Sequence, residues 1–158
     1  MLYIKYTTFE RKIHSNGELL DPKLLFLDDN YSYLHLAISP DGTLLIFSNN
    51  RPGGKGAYDL YYVTHQNITS SWSEVKSFAE SVNTEGNEVF PFLSADGYLY
   101  FSSDDKAGFG RLDIYRIPLQ DALNGKGKTE LIGYPVSSSY DDFGWVQGMG
   151  YNKRIFYF

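Results

Sequence analysis

The sequence contains no cysteine, only three histidines and no apolar run long enough to cross a membrane. The absence of cysteine excludes disulfide bonds and thiolate metal sites. The lack of a long apolar run argues against membrane insertion. The first residues, MLYIKYTTFERKIH, do not place a charged leader before a long apolar stretch. We therefore expect no secretory signal peptide there, but a β-strand that starts at the first residue.

Basic residues are also scarce, because 14 Lys and Arg stand against 19 Asp and Glu, which gives a net charge of −5. A surface with this balance repels phosphate backbones, and no lysine-rich face is apparent in the sequence. The composition therefore argues against nucleic acid as a partner.

Aromatic residues and glycine are plentiful. Tyrosine (14), phenylalanine (11) and tryptophan (2) make up 17% of the 158 residues, and there are 15 glycines. Aromatic side chains fill pleated sheet surfaces, while glycine suits tight turns. The length is that of one domain. We therefore predict a single all-β domain.

Several short motifs occur twice in the same order. SPDG returns as SADG, FSNN returns as FSSD, and YDLYYV returns as LDIYRI. Asp59 and Asp113, which stand in register within the last pair, are 113 − 59 = 54 positions apart. A repeat of this length indicates that one structural unit is built twice. The aromatic residues that recur, Phe47 with Phe101 and Tyr61 with Tyr115, are predicted to lie in the core.

Each copy contains four candidate strands separated by turn signals. In the first copy they are YLHLAIS, TLLIFS, DLYYVTH and SWSEVKSF, and in the second EVFPFLS, YLYFSS, DIYRIPL and TELIGY. The PDG and ADG tripeptides fit tight turns, since glycine accommodates positive φ. Four-stranded antiparallel meanders that repeat at this spacing are typical of β-propeller blades.

The predicted blades divide the chain into four parts. Residues 1–28 supply the last two strands of a blade, 29–82 and 83–137 are full blades, and 138–158 supply the first two strands of another. These parts amount to about three blade-equivalents, whereas closed propellers usually have about four to eight blades. We expect either that a longer polypeptide supplies the missing blades, or that two copies form a homodimer that closes a six-bladed ring.

The stretch SPDGTLLIFSNNRPGGKGAYDLYYV resembles the TolB-type, WD-repeat-like propeller repeat, in which an SPDG turn precedes an aromatic FSS strand. WSEVKSFAESVNTEGNEVFPF and SSSYDDFG are similar to further parts of the subgroup with a glycine-rich loop before an Asp-aliphatic-Tyr strand. The resemblance covers nearly the whole chain. It implies a periplasmic, outer-membrane-associated protein, related to OmpA-like-domain proteins and to secretion and gliding assemblies, that is a non-enzymatic scaffold for protein partners and has no cofactor.

The glycine-rich loops that end at Asp59 and Asp113 allow two interpretations. Each carboxylate either accepts hydrogen bonds from loop N–H groups and fixes the shape of the loop, or joins Asn50, Asp104 or Asp105 in a calcium site. Neither loop is predicted to hold a phosphate, because a strand follows each loop rather than a helix. The structural interpretation is the one we predict, with no metal.

Two further groups of residues are candidates for binding. Side chains that differ between the two glycine-rich loops are candidates for recognising a partner, because binding residues are commonly carried on loops of a rigid scaffold. These are Arg51, Lys55, Asp104, Lys106 and Arg111. His35, Phe143 and Trp145 lie in or near predicted inner strands and are candidates for lining the central channel of a propeller.

Two functions from different classes remain open. The first is a non-enzymatic protein-interaction module, indicated by strong repeats without a G-x-S-x-G or His/Cys catalytic motif. The alternative is a glycan-binding or hydrolytic site in the propeller channel, which requires carboxylates, or His35 with an acid, to converge there.

Overall fold

A computed structural model describes residues 30–66 and 71–147, together with strand segments at 9–10, 23–24 and 155–156. The strand predicted at the first residues and the segment 148–154 lie outside the described residues.

Short antiparallel strands dominate the described part of the chain. The strands β1 to β12 are Phe9–Glu10, Lys23–Leu24, Tyr33–Ile38, Leu44–Asn49, Asp59–Thr64, Lys76–Ser77, Glu88–Leu93, Tyr98–Ser103, Asp113–Pro118, Glu130–Leu131, Val146–Gln147 and Ile155–Phe156. One helix, α1 (Leu119–Leu123), follows β9. The all-β prediction is therefore confirmed.

Eight of these strands form two four-stranded antiparallel sheets. Sheet 1 has the order β3-β4-β5-β6 and sheet 2 the order β7-β8-β9-β10, so neighbouring strands are consecutive along the chain. The PDG and ADG turns place Gly42 at φ 72° and Gly97 at φ 87°, the conformation expected of glycine in such turns. Two further pairs, β1 with β2 and β11 with β12, are also antiparallel.

The first strand of each sheet is irregular at the same point. His35 in β3 has φ 46° and Phe90 in β7 has φ 52°, and the pairing register shifts beside both residues. A register shift of this kind is a β-bulge, which turns side chains away from the regular alternation of a strand. Gly144, just before β11, has φ 77° and lies 54 positions after Phe90. A positive φ therefore occurs at corresponding points of all three segments, with a bulge shown in the first two.

The two sheets pack face to face around one shared core. Sheet 1 contributes Leu44, Ile46 and Leu60 to this core, and sheet 2 contributes Leu99, Phe101, Tyr115 and Ile117. The opposite face of sheet 1 buries a separate cluster, Leu45, Phe47, Tyr61 and Val63. The predicted core positions Phe47, Phe101, Tyr61 and Tyr115 are all buried.

The two sheets are packed head to tail, which means that they meet through two different faces. Leu45, Phe47, Tyr61 and Val63 stand 54 positions before Leu99, Phe101, Tyr115 and Ile117. In sheet 2 these residues face the shared core. In sheet 1 the equivalent residues lie on the opposite face, away from that core. Sheets related in this way use two different faces, and an array of them has no internal two-fold symmetry.

The helix α1 was not predicted. It begins directly after Pro118, which cannot donate a ladder hydrogen bond and ends β9. Ala122 of this helix is buried, and Leu119 and Leu123 pack against the shared core. The helix therefore covers one end of the core between the two sheets.

Candidate functional site

The first glycine-rich loop is held by the carboxylate of Asp59. Its Oδ2 atom accepts hydrogen bonds from the backbone N–H groups of Lys55 (2.9 Å) and Gly56 (3.0 Å). Asp59 is buried, and burial raises the pKa of its carboxyl group above the ordinary value, while the two N–H groups act in the opposite direction. A side-chain Cβ at Gly54 would overlap this carboxylate, so only glycine fits there.

The second glycine-rich loop repeats this geometry. Oδ2 of Asp113 accepts hydrogen bonds from the N–H groups of Phe109 and Gly110, both at 2.9 Å. Burial and the nearby charge of Asp113 raise the pKa of Tyr115 to about 12. In the described part of the chain, Oδ1 of Asp59 and Oδ1 of Asp113 are buried without a hydrogen-bond partner. These contacts are those that the loop-shaping interpretation requires.

A second pair of buried carboxylates joins the sheets, and sequence reasoning missed it. Glu88, at the start of β7, is 0% exposed. Its carboxylate accepts hydrogen bonds from Thr84 N–H (2.8 Å), the Thr84 hydroxyl (2.5 Å) and the Ser103 hydroxyl (2.7 Å). Burial raises the pKa of Glu88, partly opposed by these hydrogen bonds and by Lys106. The only available signal was the 54-residue spacing to Asp142.

Asp142 makes the equivalent contacts 54 residues later. Its Oδ2 atom accepts a hydrogen bond from Ser138 N–H (2.6 Å), which matches the bond from Thr84 to Glu88. The backbone N–H of Asp142 donates to the carbonyl of Leu112 (2.7 Å), as that of Glu88 donates to Tyr58 (2.7 Å). Glu88 therefore ties β7 to the loop before β5, and Asp142 ties the segment before β11 to the loop before β9.

Four of the five predicted recognition residues are held by neighbours within the described structure. The Arg51 guanidinium donates to Asn49 (3.0 Å) and to the Tyr33 hydroxyl (2.9 Å). Lys55 forms an ion pair with Glu80 at 2.6 Å, in which the Lys55 side chain is 41% exposed and the Glu80 side chain 81% exposed. These contacts limit how freely the two cations can meet a partner.

The other three predicted recognition residues differ in exposure. Asp104 accepts hydrogen bonds from the backbone and side-chain N–H groups of Asn87 (2.6 and 2.7 Å). Lys106 is half-buried and reaches the carbonyl of Ser81 (3.4 Å), and burial lowers its pKa. Arg111 is exposed.

Three aromatic side chains between residues 109 and 140 lie largely in solvent, which the sequence reasoning did not predict. Phe109 is 59% exposed, Tyr134 is 86% exposed and Tyr140 is 79% exposed. Gly110 lies directly against the carbonyl of Tyr140, where a side-chain Cβ would overlap it. The loop carrying Phe109 and Arg111 therefore touches the turn carrying Tyr140.

The predicted channel residues separate into two environments. His35 stacks on Phe90 with ring centroids 3.7 Å apart, and Phe90 stacks on Phe143 at 4.9 Å. Burial lowers the pKa of His35. Trp145, by contrast, is 6% exposed and stacks on Tyr100 at 4.6 Å within a core cluster. The structure thus brings His35 and Phe143 together through Phe90, and places Trp145 in the core.

Among the described residues, no group of three His, Asp or Glu side chains is arranged to hold a metal ion. The described part of the chain also has no helix with the length and apolar character that a membrane crossing requires. Comparison of the sequence with protein-family models and with curated proteins finds no match. The resemblance to TolB-type repeats therefore depends on the sequence motifs alone and stays a prediction.

Proposed function

We propose that this chain forms consecutive blades of a TolB-like β-propeller and acts as a non-enzymatic protein-interaction scaffold of the bacterial cell envelope. The observation that carries the proposal is the head-to-tail packing of two four-stranded meanders at a constant offset of 54 residues. Two sheets packed head to tail leave one face uncovered at each end, and the two uncovered faces differ from each other. In propellers, further sheets of the same kind cover such faces.

The distribution of polar groups supports binding rather than catalysis. The four buried carboxylates at repeated positions accept hydrogen bonds from neighbouring backbone or side-chain groups and so stabilise the fold. The candidate recognition residues that differ between the copies lie on or beside the glycine-rich loops instead. A rigid scaffold that carries variable loops is a common arrangement for binding proteins. The envelope location is supported by the ordered TolB-like motifs of the sequence.

The proposal can be tested by partner capture followed by reconstitution. The purified chain is immobilised and presented separately with envelope and cytoplasmic extracts of the source bacterium, with the unfolded chain as the control. We expect an envelope protein to be retained, to be identified by mass spectrometry and, once purified, to bind the chain saturably in calorimetry. Retention of cytoplasmic proteins alone, or hydrolysis of a glycan by the chain, would contradict the proposed function.

Ring closure by a second copy belongs to the same proposal. Two copies of about three blade-equivalents each would make a six-bladed ring, which lies in the usual range for propellers. Light scattering during size-exclusion chromatography distinguishes a species of twice the 18.0 kDa chain mass from the monomer. A stable dimer supports ring closure by two copies, whereas a monomer at every concentration contradicts it.

One observation favours the alternative function. The stacked rings of His35 in β3, Phe90 in β7 and Phe143 in the segment before β11 form an aromatic row. Aromatic faces in a channel are suited to stacking on a sugar ring. If the alternative holds, soluble oligosaccharides will quench the fluorescence of the chain and the variant His35→Ala will bind them more weakly. The scaffold proposal predicts no change in fluorescence for either protein.

A further inference from the structure

The repeat allows the same surface to be compared in two versions. Lys55, Glu80 and Gly86 in the first copy stand 54 positions before Phe109, Tyr134 and Tyr140 in the second. The backbone confirms that these positions are equivalent. The turn after residue 79 has N–H groups of residues 82 and 83 donating to the carbonyl of 79, and the turn after residue 133 has those of 136 and 137 donating to the carbonyl of 133.

The two versions have opposite character. In the first copy, Lys55 and Glu80 form an exposed ion pair at 2.6 Å. Such pairs contribute little to stability and keep a surface hydrated. In the second copy the two positions carry Phe109 and Tyr134, and a glycine has become Tyr140. The same scaffold therefore supports a hydrated surface in one copy and three largely exposed aromatic rings in the other.

We propose that Phe109, Tyr134, Tyr140 and Arg111, here called the aromatic patch, bind a protein partner that presents apolar pockets beside a carboxylate. This inference rests on the proposed interaction function and specifies its surface. Large exposed aromatic side chains beside an arginine are the residue types that dominate binding energy at protein interfaces. Arg111 is the exposed cation of the patch, so a carboxylate on the partner provides the complementary charge.

The exposure of the rings favours a protein over a small ligand. Sites for small molecules enclose most of the ligand surface, whereas Tyr134 and Tyr140 are each more than three-quarters exposed. Rings that project into solvent are suited instead to entering pockets on a partner. Such rings can also stack on a polysaccharide, so the neighbouring polar groups decide between the two macromolecules.

Those polar groups are already bound to the backbone. Oγ of Ser138 accepts a hydrogen bond from Tyr140 N–H (3.2 Å), Oδ1 of Asp141 accepts one from Leu112 N–H (3.1 Å), and Oδ2 of Asp142 accepts one from Ser138 N–H (2.6 Å). A sugar requires acceptors beside the rings for its hydroxyl groups. Each bond uses only part of the accepting capacity of its group. Asp142 is buried, however, and Ser138 and Asp141 each already hold one backbone N–H, so few acceptors are left beside the rings for sugar hydroxyl groups, which favours a protein surface.

The backbone beneath the patch is fixed before any partner binds. Phe109 N–H and Gly110 N–H both donate to Asp113, and Gly110 is in contact with the Tyr140 carbonyl. Binding therefore requires little additional ordering of the main chain, which is one of the main costs of association.

The test uses a random peptide library displayed on phage as the probe. The binding-deficient variant combines Phe109→Lys, Tyr134→Glu and Tyr140→Gly, which installs the residues of the first copy on the same scaffold. The matched control combines Lys55→Ala with Glu80→Ala. Thermal unfolding first establishes that each variant folds. If the triple variant does not fold, Arg111→Glu replaces it, because that exposed side chain lies outside the core.

We expect selection to enrich peptides that contain apolar and acidic residues. Their affinity should fall about tenfold or more in the triple variant or in Arg111→Glu, and should not change in the control. Absence of enriched peptides, equal binding to all variants, or retention of the chain on insoluble polysaccharide through the patch would overturn the inference. Equal binding to all variants would leave the proposed interaction function standing, whereas failure of partner capture from envelope extracts would remove that function itself.

Discussion

Replacing Asp113 by alanine tests whether the repeated carboxylates hold the glycine-rich loops. Asp113 is 1% exposed, and its Oδ2 atom accepts two backbone hydrogen bonds, from Phe109 and Gly110. The substitution Asp113→Ala removes the acceptor and leaves both N–H groups without it. The loop then loses the contact that fixes its shape beside β9.

The expected cost follows from these contacts. Two hydrogen bonds to a charged group contribute about 3–6 kcal/mol together. The Oδ1 atom of Asp113 is buried without a hydrogen-bond partner in the described structure, which costs free energy in the parent. Removing the carboxylate removes this desolvation cost and so offsets about 1–2 kcal/mol of the loss. The net loss in the free energy of unfolding is therefore about 2–4 kcal/mol. For a chain of this size the melting temperature falls by roughly 5–15 °C.

Circular dichroism during heating and unfolding in urea both measure this loss. The matched variant is Asp113→Asn, whose side-chain oxygen can still accept from the loop N–H groups, and it should lose no more than about half as much. Asp59→Ala repeats the experiment in the first loop. Partner binding, measured well below the melting temperature, should be weakened but not abolished in Asp113→Ala, because Phe109 lies on the loop that this carboxylate holds, and should persist in Asp59→Ala.

Two results would refute the loop-shaping role. One is an Asp113→Ala variant that melts like the parent but no longer binds its partner, which would make the carboxylate a recognition group. The other is an equal loss in the alanine and asparagine variants that appears only when calcium is present. That pattern would indicate a cation site, because asparagine cannot supply the charge that a cation requires.

Three further predictions concern the contact between sheets. Gly110→Ala should lower the free energy of unfolding by about 1–3 kcal/mol in urea titrations, because the added Cβ overlaps the Tyr140 carbonyl. The control Gly133→Ala should be nearly neutral, since no atom lies within 4 Å of the added Cβ. Equal effects of the two substitutions would contradict the close approach of Gly110 to Tyr140. Burial raises the pKa of Glu88, so the folded state binds a proton more tightly than the unfolded state does. The free energy of unfolding of the parent, relative to that of Glu88→Gln, should therefore rise as the pH falls from about 7 towards the ordinary glutamate pKa of 4.5. A difference between the two proteins that does not change with pH would refute this. Phe101→Ala should cost about 3–5 kcal/mol in the same titrations, since the ring is fully buried in the shared core; a loss below about 1 kcal/mol would place it outside that core.

Much of the strand order could be predicted because its signals are local. The PDG and ADG tripeptides predicted the tight turns, and the glycine-rich loops predicted the connections that end at Asp59 and Asp113. The bulges at His35 and Phe90 could not be predicted. Histidine is enriched at positive φ but adopts it in only a small fraction of cases, and phenylalanine is not enriched. The two rings stack on each other from neighbouring sheets, a contact between residues distant in sequence. The helix α1 was missed because its five residues are too few to show a helical period.

The candidate site was predictable only where it repeats. The spacing of 54 identified Asp59 and Asp113, but Glu88 looked like an ordinary surface residue because its burial depends on contacts distant in sequence. The exposed aromatic rings were missed for the opposite reason. Composition predicts that phenylalanine and tyrosine lie in the core, and only the structure distinguishes Phe109 in solvent from Phe101 in the core.

Disulfide trapping tests the head-to-tail packing of the sheets most directly, since the chain has no native cysteine. Tyr58 and Asn87 form a bridge between the two sheets, and Leu112 and Asp141 are the equivalent positions 54 residues later. The pairs Tyr58→Cys with Asn87→Cys and Leu112→Cys with Asp141→Cys should each oxidise to an intramolecular disulfide, because bridged backbone positions lie within the required Cα separation. The second pair is expected to match the first, since Asp142 N–H donates to the Leu112 carbonyl as Glu88 N–H donates to the Tyr58 carbonyl. The crossed pair, Tyr58→Cys with Asp141→Cys, should stay reduced. Failure of both matched pairs, or equal oxidation of the crossed pair, would contradict the packing on which the account depends.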